Sequence, residues 1–239
     1  MKSSSSNEQL KKSVGEAAAQ LVEGDMMVGV GTGSTARFFI EELGRRVREE
    51  GLRIVGVPTS FQSRLLCQKN GVPIADAQDV GQLDLAVDGA DEVDPDLNLI
   101  KGGGAAHARE KVIAGMAKQF VVIVDESKLV PRLGTGFAVP VEIIPPALKF
   151  VSDRLLAMGG QPTLRMGVRK DGPVVTDNGL FVIDAKFDPA VDMRQIDAQL
   201  HNTPGVLETG LFLGMARKVL VGVAADNTVK TLLRPASGN

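Results

Sequence analysis

Apolar positions in the first half of the chain follow two alternating rhythms. Leu10, Val14, Ala17, Ala18 and Leu21 recur at helical spacing and predict an amphipathic helix over 8–22. Met26 to Val30 is a short apolar run, which predicts a strand leading into Gly31-Thr32-Gly33-Ser34-Thr35. Ser34 or Thr35 is placed to cap the next helix. That helix has Ala36, Phe39, Ile40, Leu43 and Val47 on its inner face, with Glu41/Arg45 and Glu42/Arg46 at i,i+4 on its wet side. A strand over 54–57, a helix near 61–69, a strand over 83–87, a helix over about 105–118 and a strand over 120–124 continue the pattern. Strands alternating with helices predict an α/β domain, a mostly parallel sheet with helices on both faces. Ligands of such sheets sit beyond the carboxyl ends of the strands. Both glycine-rich segments and Asp88 are expected at such ends, around one crevice.

The rhythm changes after Pro140. Val141–Ile144 reads as a strand, 147–158 as a helix, Leu164–Val168 as a strand and Asp177-Asn178-Gly179 as a turn. Residues 180–187 alternate as a strand, 190–200 read as a helix and Val206–Leu213 as a last strand. The order β-α-β-β-α-β is that of a ferredoxin-like α+β unit. The expected domains are therefore 1–135 with 210–239, and a smaller one at 136–209. Val219–Val223 is apolar throughout, which suits a strand buried on both faces and returning to the first domain.

Composition narrows the function classes. Of 239 residues, 44% are hydrophobic and 23% charged, which fits a globular protein and argues against disorder. A net charge of −2 gives no basic field for nucleic acid. No apolar run reaches the ~20 residues that span a bilayer. The first ten residues are polar and Ser-rich, read as a frayed tail without the features of a signal peptide. The single cysteine, Cys67, cannot form an internal disulfide and reads as a small core residue in a cytoplasmic protein.

The candidate chemistry lies in the Gly29–Thr35 loop and between residues 84 and 128. The Gly29–Thr35 loop joins a strand to a helix start, where free N–H groups and the helix dipole favour an anion such as phosphate. It lacks the Gly-Lys-Ser/Thr of a nucleotide-binding P-loop. It is also a poor dinucleotide fingerprint, because its glycines run G-x-G-x-G and no acid follows the second strand. Asp88 and Asp91 follow an apolar strand directly and are expected to face the crevice, although turn hydrogen bonding would place them there as well. Lys101 precedes Gly102, Gly103 and Gly104, so an ammonium and close N–H donors could meet one oxyanion. Glu110 shares a helix face with Ala106, Ile113 and Ala117. Desolvation there is expected to raise its pKa, which suits a base that takes and returns a proton. Lys128 could reach a phosphate at the same sheet edge. Asp94-x-Asp96-x-Asn98 opens like a calcium loop, but Leu99 and Ala105 stand at its sixth and twelfth positions, so it reads as an exposed turn. No Cys/His cluster suggests zinc, and neither His107 nor His201 reads as catalytic. A small-molecule enzyme acting on a phosphorylated substrate accounts for these residues. A sugar-phosphate sensor and a nucleotide-binding oxidoreductase are the rival classes.

These residues together resemble the type A ribose-5-phosphate isomerase family. The likeness runs through Leu10-Lys11-Lys12, Gly31–Thr35, Asp88-Gly89-Ala90-Asp91-Glu92, Lys101–Ala106, Arg109-Glu110-Lys111 and Asp125-Glu126-Ser127-Lys128. It continues in Pro140-Val141-Glu142, Thr176–Gly179 and Gly205-Val206, with departures at Leu180, Thr209 and His107. The resemblance implies a Rossmann-like domain beside a smaller α+β domain. It also implies interconversion of D-ribose 5-phosphate and D-ribulose 5-phosphate in the non-oxidative pentose phosphate pathway, without metal or organic cofactor, by a homodimer or homotetramer. Under it Thr32, Gly33, Ser34, Thr35 and Lys128 hold phosphate. Asp88, Gly89, Ala90 and Asp91 contact the sugar, the two aspartates assisting ring opening. Lys101 with Gly102, Gly103 and Gly104 stabilises an enediolate, and Glu110 moves the proton between C2 and C1.

Overall fold

The computed structural model describes residues 2–234. The elements, in chain order, begin with α1 (Lys2–Ala19), β1 (Met27–Val30), α2 (Ser34–Glu49), β2 (Val55–Pro58), α3 (Phe61–Asn70) and β3 (Leu83–Asp88). Next come β4 (Glu92–Val93), β5 (Leu99–Ile100), α4 (His107–Met116), β6 (Ala117–Asp125), β7 (Val139–Ile143), α5 (Leu148–Ala157) and β8 (Gln161–Leu164). The chain then forms β9 (Phe181–Lys186), α6 (Met193–His201), β10 (Val206–Thr209), β11 (Leu211–Phe212), β12 (Lys218–Val223) and β13 (Thr228–Leu233).

It folds as two compact units. The larger comprises residues 1–90, 109–129 and 214–239, and the smaller comprises 91–108 and 130–213. Residues 91–108 thus group with the smaller unit, whereas the sequence placed them in the first domain. The reason is a three-stranded sheet, β11-β5-β4, which pairs Leu99–Ile100 with both Glu92–Val93 and Leu211–Phe212.

In the larger unit the sheet runs β13-β12-β6-β3-β1-β2, parallel except for β13. β12 pairs in parallel with β6, so the apolar run at 219–223 does return to this sheet. Its core takes Val28, Val30, Val87, Val121 and Ile123 from the strands, Val14 from α1, and Phe39, Ile40 and Leu43 from α2. The Ser-rich start, expected as a frayed tail, is helical from Lys2 and holds no Gly or Pro to break the helix. α3 is closed at both ends, by a Ser60/Ser63 capping box and by Gly71 in the left-handed region. α2 is different. Gly33 is its N-cap and no side chain caps it, so the cap expected of Ser34 or Thr35 is not made. The ion pairs along α2 also regroup: Arg45 meets Glu42, Glu49 and Glu50, while Arg46 reaches Glu50 and the carbonyls of Ala19 and Val22.

In the smaller unit the strands run β10-β7-β9-β8, all antiparallel. With α5 and α6 between them in sequence, this is the ferredoxin-like βαββαβ arrangement. Val139, Val141, Ile143 and Ile183 pack with Val151, Leu155 and Leu200 in its core. Ile100 and Leu211 join that core from the three-stranded sheet. The buried Glu92 carboxylate accepts from the N–H groups of Gly134 (2.6 Å), Gly136 (2.5 Å) and Phe137 (2.7 Å), and so fixes the loop entering β7. The strand expected over 206–213 divides at Gly210, whose N–H donates to Pro140 O and whose carbonyl accepts from Lys101 N.

Candidate active site

In the larger unit the connection from β1 leads to one sheet neighbour, β2, while β3 pairs on the other side of β1. The order reverses there, which makes a switch point with a crevice at the carboxyl ends of β1 and β3. The residues at those ends are joined directly. Asp88, 3% exposed, ends β3, and its Oδ1 accepts from Thr32 N at 3.0 Å and from Gly89 N at 2.8 Å. Gly31 N donates to Val87 O at 2.9 Å. A Cβ on Gly31 would lie 2.6 Å from the Asp88 Cα, so this approach requires glycine. Thr32 Oγ1 is 2.8 Å from Thr59 Oγ1 and donates to Ser60 Oγ at 2.6 Å. Gly33 N donates to the Gln62 side-chain oxygen at 3.1 Å. Ser34 is exposed and Thr35 half-buried in the first turn of α2. The loop thus offers hydroxyls and a helix N-terminus at one place, which suits a phosphate. Thr59 and Ser60 join this loop although the sequence analysis names neither. Their position after β2, the neighbour of β1, was the available signal.

Glu110 lies in the first turn of α4 and is 5% exposed. One turn on, Ile113 Cγ2 fills the place where Gly29 would carry a side chain, so this face of α4 lies on β1. Glu110 is therefore held against the sheet near the carboxyl end of β1. Gly89 and Ala90 are half-buried after β3. Lys128 ends a 3-10 turn after β6, the strand beside β3, with Asp125 capping that turn through Ser127 N.

The other predicted residues belong to the smaller unit. The second glycine segment follows β5 of the antiparallel three-stranded sheet and not a strand of the parallel one, because Leu99–Ile100 pairs with β4 and β11. Lys101 is 3% exposed; its N–H donates to Gly210 O at 2.8 Å, and its Nζ lies 5.4 Å from the centre of the buried Phe212 ring. Gly102 adopts φ +111°, and a Cβ there would stand 2.8 Å from Nδ1 of the buried His107. Gly103 and Gly104 are exposed. Gly103 N donates to Asp91 Oδ2 at 2.8 Å, so Asp91 and the glycine loop form one piece. Arg165 donates to the carbonyls of Gly102 and Gly103, a link that nothing near position 165 in the sequence announces. Asp94 accepts from both the N–H and the side-chain amide of Asn98, which confirms the turn at 94–98.

A family model described as ribose 5-phosphate isomerase A (phosphoriboisomerase A) matches residues 55–226. The chain is 54% identical to ribose-5-phosphate isomerase A of Thermosynechococcus vestitus, over 91% of this chain and 93% of that one. The solved ribose 5-phosphate isomerase A of Methanocaldococcus jannaschii superposes with a TM-score of 0.90 at 47% identity, covering 95% of this chain and 99% of that one. A D-ribose-5-phosphate isomerase solved in complex with phospho-erythronic acid superposes with a TM-score of 0.92 at 47% identity, with the same coverage.

Proposed function

Because the chain belongs to the ribose 5-phosphate isomerase A family, we propose that it interconverts D-ribose 5-phosphate and D-ribulose 5-phosphate through an enediolate. The observation that carries this reading is the burial of Glu110 and Lys101, at 5% and 3% exposure. Ionisable side chains held out of solvent in this way concentrate at functional sites. The ligand of the solved relative supports it as well. Phospho-erythronic acid carries a carboxylate and a phosphate on one short sugar-acid chain, so it presents the same two anionic groups as a phosphorylated enediolate.

In this reading Thr32, Gly33, Ser34, Thr35 and Lys128 hold the phosphate. Asp88 and Asp91, with Gly89 and Ala90, contact the sugar hydroxyls, and the aspartates move the O1 proton to the ring oxygen as the ring opens. Glu110 then removes the C2 proton. The electron pair shifts through C1 to O1, where Lys101 and the amides of Gly102, Gly103 and Gly104 meet the negative charge. Glu110 returns the proton to C1 while the O2 proton passes to O1, which completes the ketose. We further assign the enzyme to the cytoplasm as a homodimer or homotetramer. A buried lone thiol suits a reducing compartment. Val168, 97% exposed, and Met166, 55% exposed, offer apolar surface to another copy. A monomer in sedimentation velocity would withdraw the oligomer.

A coupled assay on ribose 5-phosphate tests the activity, and Glu110→Gln tests the mechanism. The variant should lose about 10²–10⁴-fold in kcat with KM little changed. In deuterated water the wild type should place deuterium at C2 of ribose 5-phosphate. A fully active Glu110→Gln would remove Glu110 from the chemistry, and binding of the sugar without turnover would make the protein a sensor.

A further inference from the structure

Arg165 follows β8 directly, and its backbone is fixed on both sides. Its N–H donates to Val182 O at 2.9 Å and its carbonyl accepts from Val174 N at 2.9 Å. Its guanidinium is divided between two tasks. Nε donates to Asp184 Oδ2 at 2.8 Å and Nη2 donates to Asp184 Oδ1, a two-pronged pair that sets the plane of the fork. Nη1 donates to the Gly102 carbonyl at 2.7 Å and, over a longer 3.3 Å, to the Gly103 carbonyl. The two side chains are 15% and 28% exposed, so the pair is largely shielded from solvent.

Peptide planarity turns this contact into a lever. In a trans peptide the C=O and the following N–H point in opposite directions. The Gly102 carbonyl and the Gly103 N–H belong to one such plane. Arg165 holds its carbonyl edge, and its N–H edge donates to Asp91 Oδ2 at 2.8 Å on the other side. The next plane, Gly103 carbonyl and Gly104 N–H, is restrained in the same sense. Three consecutive glycines have no side chains to fix these planes, so an outside group has to do it. Lys101 is anchored separately, through Gly210 O.

We infer that Arg165, braced by Asp184, is a positioning residue. It orients the Gly102–Gly103 peptide, and through that peptide the Asp91 carboxylate. The inference rests on the isomerase reading above. Lysine cannot replace Arg165, because one nitrogen on a flexible stem cannot grip a carboxylate in two places and a carbonyl as well.

The test compares Arg165→Met, Arg165→Lys and Asp184→Asn with the wild type in steady-state turnover of ribose 5-phosphate, alongside thermal unfolding. A misplacement of ~1 Å in a positioned group costs up to about 10²-fold. Arg165→Met should therefore lose about 10- to 100-fold in kcat, while KM stays within about threefold because the phosphate is held elsewhere. Arg165→Lys should restore at most part of the loss, and Asp184→Asn should show a smaller fall of the same kind. The deciding measurement is the cycle with Asp91→Asn. If Arg165 works through Asp91, adding Arg165→Met to Asp91→Asn should cost less than about twofold more. Losses that simply multiply, or an unchanged kcat in Arg165→Met, overturn the inference. If Arg165→Met does not fold, unchanged kcat in both Arg165→Lys and Asp184→Asn overturns it instead. A wild type without isomerase activity fails differently, by removing the reading underneath.

Discussion

No side chain fits at position 31, where the loop after β1 passes the end of β3. A Cβ would stand 2.6 Å from the Asp88 Cα, and a backbone atom cannot swing aside as a side-chain tip can. Gly31→Ala should therefore cost about 1–3 kcal/mol in denaturant unfolding. It should also depress kcat more than the stability loss explains, because Asp88 and the Thru-space partner Thr32 N are pushed apart. Stability and turnover equal to wild type would show that the approach is looser than described. At this scale the sequence was legible where the deciding neighbours are close in the chain: the turn of Gly31 to Thr35 between β1 and α2, Asp88 at the end of β3, and the turn that Asp94 closes on Asn98. It was silent where the partner is distant. Gln62 on Gly33 N and Arg165 on Gly102 O lie 29 and 63 residues from the groups they hold. The helix-surface charges show the same limit, since Arg45 and Arg46 had several acids within reach and i,i+4 spacing alone could not choose among them.

Asp84 fastens three adjacent parallel strands. Sitting in β3, it accepts from Lys118 Nζ on β6 at 2.7 Å and from Met27 N on β1 at 2.9 Å. The Lys118 hydrogen bond first, and then the Met27 N–H, hold its carboxyl below the ordinary value of 3.8. A depressed pKa in the folded state means that the stabilisation is fully present above the unfolded value and fades as pH falls through the folded one. Asp84→Asn should thus lower the denaturant midpoint at neutral pH and make progressively less difference below about pH 3.8. With Lys118 56% and Asp84 30% exposed, solvent screening limits the effect to about 1 kcal/mol or less. A difference that persists unchanged in strong acid would remove the charge from the explanation. Long elements such as α2 and β6 were legible because a full period of apolar residues announces them. β4, β5 and β11 were not, because two residues carry no period. The glycine loop was consequently expected on the parallel sheet when it is carried by the small antiparallel one.

At the scale of the whole chain, the larger unit is assembled from three separate segments, 1–90, 109–129 and 214–239. The alternation of strand and helix disclosed the first two, and the apolar run at 219–223 pointed to the third. β13 went unread because its side chains are mostly exposed and lack a strand's alternation. The last segment is not an appendage. β12 lies between β6 and β13, pairs with β6 from Lys218 to Gly222, and buries Val219, Leu220, Val221 and Val223. A chain ending at Leu213 would leave β6 with an open row of N–H and C=O groups and an uncovered apolar edge, a template for aggregation. It would also lack contacts that close only after more than 90 residues of intervening chain, the contacts that form most slowly in folding. Truncation after Leu213 should therefore give insoluble or molten protein without cooperative thermal unfolding. Truncation after Asp226, which keeps β12 and loses β13, should leave a soluble, less stable and active enzyme, because β13 covers only an edge. If the chain ending at Leu213 unfolds cooperatively near the full-length midpoint, then β12 is dispensable and the sheet that positions Asp88 and Glu110 is complete without it.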